Sequence, residues 1–273
     1  AQPNIAFGLQ QVIDGYGRHE VVIDNPNHGI ALHEMDPGHL ADLFSVYRQR
    51  MAELYESDPR LKYVLIFKNF GAAAGASIPH THSQIIATPV VPENVQNEVH
   101  HSREYQRKLN HCVFCSLIDE ALTYEATIYD RESGQIRRKV NVGQYVVERG
   151  ERFIAIKPFA SRFEWEIHIL PVRHEADFLK TTRDDLDDFA RVLRRTMARL
   201  DKVVGGVQYN FFLHSLPHGS EFDDCQQSYH WHLEICPRTS IPTGFELGSG
   251  LFVSTVSPEL AAQALREADI DSD

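Results

Sequence analysis

One order of elements occurs twice in this chain, and each copy ends on a pair of alternating histidines. In the first half a strand-like run, 19–24, leads to His28. A helix then opens at Asp36-Pro37, proline suiting the first helical position. Leu40, Leu43, Phe44, Tyr47, Met51, Leu54 and Tyr55 fall on one stripe of that helix, as a core face requires. A strand over 63–67 follows, then His80-Thr81-His82. The second half repeats the order: a strand over 166–170, His174, a helix with Thr182 and Asp185 as capping pair, a strand over 209–213, then His230-Trp231-His232. The second helix carries its own stripe, Leu186, Phe189, Leu193, Met197 and Leu200. His28 and His80 are 52 positions apart and His174 and His230 are 56 apart. Two copies of one α+β unit, each an antiparallel sheet with packed helices, are the economical reading. The apolar pattern breaks at His100-His101-Ser102-Arg103-Glu104, which divides the chain into units 1–105 and 106–273, with a helix able to cross the join.

Composition narrows the partners. A chain of 273 residues with 42% hydrophobic and 24% charged residues reads as globular. A net charge of −11 argues against a surface that tracks a nucleic acid polymer, though a single nucleotide needs only a local site. No apolar run approaches the roughly 20 residues of a membrane span, and no basic-then-apolar leader is present. The expectation is a cytoplasmic protein without membrane contact.

The stretch from Asn69 to Gln84, NFGAAAGASIPHTHSQ, concentrates the chemistry. On a strand, His80, His82 and Gln84 would share one face while Thr81 and Ser83 take the other. A solvated strand edge is the bland alternative. Small side chains from Gly71 to Ser77 would let backbone approach phosphate oxygens. The run is neither a Walker loop nor a G-x-G-x-x-G turn. An imidazole is a good nucleophile toward phosphorus when one nitrogen is held by a hydrogen bond and the other faces the substrate. His82 is the candidate, with Asn69, Ser77 and Gln84 as neutral donors toward charge on the phosphoryl group.

Cys112-Val113-Phe114-Cys115 opens the second unit. The spacing suits a redox dithiol or two ligands of a zinc ion that His174 and His230 would complete as Cys₂His₂. By the same logic His28 and His80 are half of a matching site. Its cysteines would lie upstream of residue 1, so a shortened N-terminus is expected. Cys225 and Cys236 read as ordinary small side chains, His232 as a degenerate copy of His82, and His168 as a hydrogen-bonded core histidine. Lys157, Arg162 and the Arg194-Arg195 pair read as solvated.

The Asn69–Gln84 run resembles the active-site signature of the galactose-1-phosphate uridylyltransferase family, within the histidine-triad superfamily. The segments 169–174, 229–232 and 244–250 resemble that family's C-terminal unit, and the likeness covers the chain from about Gly15 onward. It implies two tandem histidine-triad-like units and His82 as the residue that takes up a nucleoside monophosphate. Gln84 marks transferases rather than hydrolases, and Asn69, Gly75 and Ser77 line the nucleotide phosphates. It also implies His28 and His80 as zinc ligands and a homodimer. Two departures stand out. A second metal held by a His-x-His pair in some members would fall on Glu234 and Cys236. Ser240 and Gly244-Phe245-Glu246 replace a lysine and Gly-Tyr-Glu of the hexose site, which resembles the ADP-sugar phosphorylase branch. The first reading is a UDP-glucose:hexose-1-phosphate uridylyltransferase of galactose metabolism, taking a nucleotide sugar and a sugar 1-phosphate. The alternative is an ADP-sugar or dinucleoside polyphosphate phosphorylase using inorganic phosphate. A reading of another class is a zinc-stabilised nucleotide-binding module without turnover.

Overall fold

The computed structural model describes residues 5–7, 10–12, 14–123, 125–130 and 132–270. In chain order the strands and helices are β1 (Ile5–Phe7), β2 (Gln10–Val12), β3 (Arg18–Ile23), α1 (Pro37–Ser57), β4 (Tyr63–Phe70), β5 (His82–Thr88), α2 (Glu93–Leu109) and α3 (Val113–Thr123). There follow β6 (Glu125–Tyr129), β7 (Ile136–Asn141), β8 (Val146–Arg149), β9 (Phe153–Ile156), β10 (Ile167–Pro171), α4 (Arg183–Val204), β11 (Tyr209–His214), β12 (His232–Pro237), α5 (Gly244–Ser249) and α6 (Pro258–Glu267). Helix α2 runs through the expected join at 105/106.

Eight strands form one antiparallel sheet in the order β3-β5-β4-β11-β12-β10-β9-β8. The repeated strands β3, β4, β5 and β10, β11, β12 therefore lie as mirror orders about the β4–β11 pair, with Phe70 opposite Tyr209 and Asn69 opposite Asn210. The repeat seen in the sequence is thus an approximate two-fold within a single sheet.

Alternation along the strands assigns the two faces. Val64, Ile66, Ile85, Ala87, Ile167, Ile169, Phe211, Leu213, Leu233 and Ile235 point to the helix-covered face and belong to one core. The stripes of α1 and α4 close over it. Helix α1 is capped by Asp36, whose carboxylate accepts from the Gly38 amide at 2.8 Å, and α4 by the expected Thr182–Asp185 box. Rings from both halves meet there: Phe44 lies 4.7 Å from Phe189, which is 5.9 Å from Trp231. On the other face α2 packs Val95 and Val99 with Tyr63 at the start of β4 and with Tyr229, and α3 packs Ile118 with Ile154 and Leu170. Among the described residues no helix is long and apolar enough to cross a membrane.

Because Phe189 joins rings from both units, Phe189→Ala should cost about 3–5 kcal/mol. Urea unfolding followed by tryptophan fluorescence should still show a single transition, shifted to lower denaturant.

Candidate active site and metal centre

His82 opens β5 opposite Ile23. Its Nδ1–H donates to the His80 carbonyl at 2.8 Å, leaving Nε2 with no hydrogen-bond partner among the described residues. The residue is only 6% exposed. Gln84 lies two positions on, on the same face, and its Oε1 accepts from His19 Nε2–H at 2.8 Å. The amide NH₂ is then the end of Gln84 left to donate.

Asn69 lies across β4, where Asn210 Nδ2 donates to its Oδ1 at 2.7 Å and to the Ala74 carbonyl at 2.8 Å. The small-residue loop is a tight turn over Ala72–Ala74, closed by Gly75 at φ +83°, a left-handed conformation that favours glycine. Its amides are mostly spent internally. Ala74 and Ala76 donate to the Gly71 carbonyl, Gly75 donates to Ala72, and Ala73 donates to Gln208 Oε1 at 2.7 Å. The expected cradle of backbone donors is therefore not made from these four amides. Ser77 follows in the exposed stretch before His80.

His80 corrects another expectation. It precedes β5 instead of sharing its face with His82 and Gln84. Its Nε2–H donates to the Asn25 carbonyl at 2.8 Å, and its Nδ1 lies 3.0 Å from Nδ1 of His28. The second unit repeats the scheme. His230 Nε2–H donates to Pro171 O at 2.9 Å, His174 Nε2–H to Gln226 O at 2.9 Å, and His232 Nδ1–H to His230 O at 2.9 Å. Both His174 and His230 thereby turn Nδ1 toward Cys115, whose Sγ is 3.2 and 3.7 Å away. Ligand atoms of Cys112, Cys115, His174 and His230 all lie within 4.8 Å of one another. Two thiols and two imidazoles oriented through backbone carbonyls are a donor set that fits tetrahedral zinc. Hydrogen bonds from Cys115, then His174 and His230, hold Cys112 far down toward its thiolate, and that thiolate pushes Cys115 up.

Sequence reasoning missed what lies beneath His82. Lys68 and Asp24 form a fully buried ion pair at 2.5 Å, with side-chain exposures of 1% and 0%. Lys68 Nζ also donates to Thr81 Oγ1 at 2.8 Å and to the His82 carbonyl at 3.0 Å. Ser83 Oγ donates to Asp24 at 3.1 Å, and Tyr47 OH donates to Ser83 Oγ at 2.6 Å. Burial pushes the Lys68 ammonium down while Asp24 opposes the shift. The available signal was Lys68 itself, a cation in phase with Val64 and Ile66 on the core face of β4.

In the second unit His232 is buried beneath α2 and α3, 3.1 Å from Glu98 and with its ring 5.1 Å from Phe114. Glu98 also meets His214 at 3.0 Å and the Tyr229 hydroxyl at 3.1 Å. Burial opposes the Glu98 charge, but the two facing imidazoles outweigh it and keep the carboxyl far below its usual range. Burial likewise lowers His232, yet Glu98 and Glu234 prevail and push it up to about 10. His168 donates to Glu166 at 2.9 Å, as a hydrogen-bonded histidine. Lys157 is not solvated as expected, being 1% exposed. Arg162 keeps 38% of its side chain exposed while pairing with the carboxylates of Glu166 and Glu234. Arg195 reaches Glu148 at 3.1 Å. Cys225 and Cys236 are both buried.

Comparison with known proteins agrees across both units. Residues 3–92 match the model of the galactose-1-phosphate uridyl transferase N-terminal domain. The chain is 30% identical over 264 residues to an ADP-glucose phosphorylase of Arabidopsis thaliana, covering 96% of this chain and 68% of that one. It is 29% identical over 259 residues to a galactose-1-phosphate uridylyltransferase of Thermotoga maritima, covering 92% and 74%. The crystal structure of the Arabidopsis ADP-glucose phosphorylase with bound ADP-glucose superposes with a TM-score of 0.81 at 28% identity, over 96% of this chain and 75% of that one.

The likeness runs through the second unit, whose charged cluster is testable as packing. Glu98→Leu should leave buried His232 and part-buried His214 facing an apolar side chain and cost about 3–5 kcal/mol in chemical denaturation.

Proposed function

The chain belongs to the galactose-1-phosphate uridylyltransferase family and is a nucleotidyltransferase enzyme, and from that premise we propose that it moves a nucleoside monophosphate from a nucleotide sugar to inorganic phosphate through His82. The observation that carries the covalent step is the His82 ring, anchored through Nδ1–H and open at Nε2. Nε2 attacks the α-phosphorus, the bond to the bridging oxygen breaks, and sugar 1-phosphate leaves with that electron pair. Positive charge then grows on the ring, and the His80 carbonyl accepting Nδ1–H stabilises it. The Gln84 amide, oriented by His19, donates to a phosphoryl oxygen. An oxygen of inorganic phosphate next attacks the nucleotidyl-histidine, releasing nucleoside diphosphate and restoring the neutral ring. The two displacements predict ping-pong kinetics.

An ADP-sugar as donor is supported by the Arabidopsis relative and by Phe245 in the place of the hexose-site tyrosine. A cleft of about 440 Å³ begins at Asn210, the partner of Asn69, and is walled by Arg162, Arg238, Phe163 and Phe252. Its two guanidiniums and two rings suit a nucleotide sugar. The second reading keeps the same chemistry with hexose 1-phosphate as acceptor, as in a UDP-glucose-dependent uridylyltransferase, and is favoured by the Thermotoga relative.

Intact mass after incubation with ADP-glucose or UDP-glucose should show a gain of one nucleoside monophosphate. His82→Ala should abolish the gain and lower turnover by about 10³-fold or more. Discharge of the adduct by phosphate yielding nucleoside diphosphate supports the phosphorylase, and discharge only by galactose 1-phosphate supports the second reading. Nucleotide binding without any adduct would overturn both in favour of a non-catalytic module.

We assign zinc to Cys112, Cys115, His174 and His230, where four protein ligands would fill the tetrahedron and leave the ion a structural role. His28 and His80 are assigned as a matching ligand pair in the first unit. Cys115→Ser or His174→Ala should remove one zinc per chain by elemental analysis and lower Tm by about 5 °C or more.

A further inference from the structure

The two units share a backbone but not a filling beneath their alternating histidines. Sheet register equates Asp24, opposite Thr81, with Pro171, opposite Trp231. It equates Lys68 with Leu213, and Thr81 and Ser83 with Trp231 and Leu233. The stripes of α1 and α4 equate Tyr47 with Leu193. Five polar side chains under His82 thus correspond to five apolar ones under His232, all buried. The apolar filling shows that this backbone holds its shape without an ion pair. Burying the pair carries a desolvation penalty of several kcal/mol per ion, which apolar packing avoids.

What the polar filling adds is control of the His80–Ser83 segment. Lys68 Nζ grips the His82 carbonyl and Thr81 Oγ1, Asp24 accepts from Ser83 Oγ, and the Asp24 amide donates to the Thr81 carbonyl at 3.2 Å. Both neighbours of His82 and its own backbone are thereby tied to one carboxylate–ammonium pair. We propose that Asp24 and Lys68 are positioning residues for His82, fixing the backbone so that the His80 carbonyl holds Nδ1–H and Nε2 is aimed at phosphorus. The proposal rests on the transfer reading above for its kinetic consequence and on geometry alone for the state of the ring.

The test is the double variant Asp24→Leu/Lys68→Met, which replaces the pair with apolar side chains, as the second unit does with Pro171 and Leu213, without leaving a lone buried charge. In single-turnover assays with ADP-glucose or UDP-glucose, adduct formation should slow by about 10- to 100-fold while donor affinity changes by less than about three-fold. In ¹⁵N spectra of histidine-labelled protein, His82 should pass from the Nδ1-protonated tautomer to a mixture. A rate within about two-fold of the unaltered protein together with an unchanged tautomer would overturn the proposal. Should that variant not fold, Thr81→Val/Ser83→Ala removes only the two hydroxyl ties. It should lower kcat by about three- to ten-fold at constant KM, and an unchanged kcat overturns the proposal. If the unaltered protein forms no adduct, the transfer reading fails, and the tautomer comparison alone decides the positioning role.

Discussion

The antiparallel pairing of β4 with β11 is the contact on which the rest of the molecule depends. Through it a three-strand sheet and a five-strand sheet become one, and neither presents its central edge to solvent. The pairing brings α1 beside α4, so that Phe44 and Phe189 share one core. It also places Asn210 against Asn69 and the Ala74 carbonyl, which locks the loop of the first unit to a strand of the second. The candidate active site is therefore built across the seam, although its candidate nucleophile, His82, belongs to one unit.

Around that seam the two copies keep one hydrogen-bonding scheme and spend it differently. In each, the first histidine of the His-x-His pair donates to a carbonyl at or just past the end of the neighbouring strand, Asn25 after β3 and Pro171 at the end of β10, and the second donates to the carbonyl of the first. In the second unit the first of these bonds turns His230 Nδ1 toward Cys115. In the first unit the other anchors His82 through Nδ1 and leaves Nε2 without a partner among the described residues. The surroundings of the second histidine then separate the copies: α2 and α3 bring Glu98 and Phe114 onto His232, whereas Nε2 of His82 has no hydrogen-bond partner among the described residues.

Much of this was legible in the sequence because it is periodic. The helical stripes of α1 and α4, the two strand triplets and the order of the histidines survive as local patterns, and the C-x-x-C needs only two neighbours. What was not legible depends on distance. Asp24, Tyr47, Lys68 and Ser83 are scattered over 60 residues and become a network only when β3, β4, β5 and α1 meet. His80 looked like a strand residue because alternation does not reveal where a strand begins. The loop amides looked free because sequence does not show that Gly71, Ala72 and Gln208 accept from them. Lys157 looked solvated because the carboxylate near it, Glu166, lies on the far side of a turn.

The candidate nucleophile His82 and its counterpart His232 differ in the partner of one nitrogen. Both His82 and His232 give Nδ1–H to the carbonyl two residues before them, so the anchoring is the same. At Nε2 they diverge. His232 meets the Glu98 carboxylate, which pushes its pKa up to about 10 and keeps the ring a cation at neutral pH. A cationic imidazole carries protons on both nitrogens and has no lone pair to offer. It can serve packing and charge balance but not nucleophilic attack. Among the described residues the His82 ring has a neutral carbonyl as its hydrogen-bond partner, and the ion pair beneath it grips the backbone instead of the ring. Charge near His82 thus grips the backbone and leaves Nε2 alone, whereas at His232 a carboxylate meets Nε2 itself.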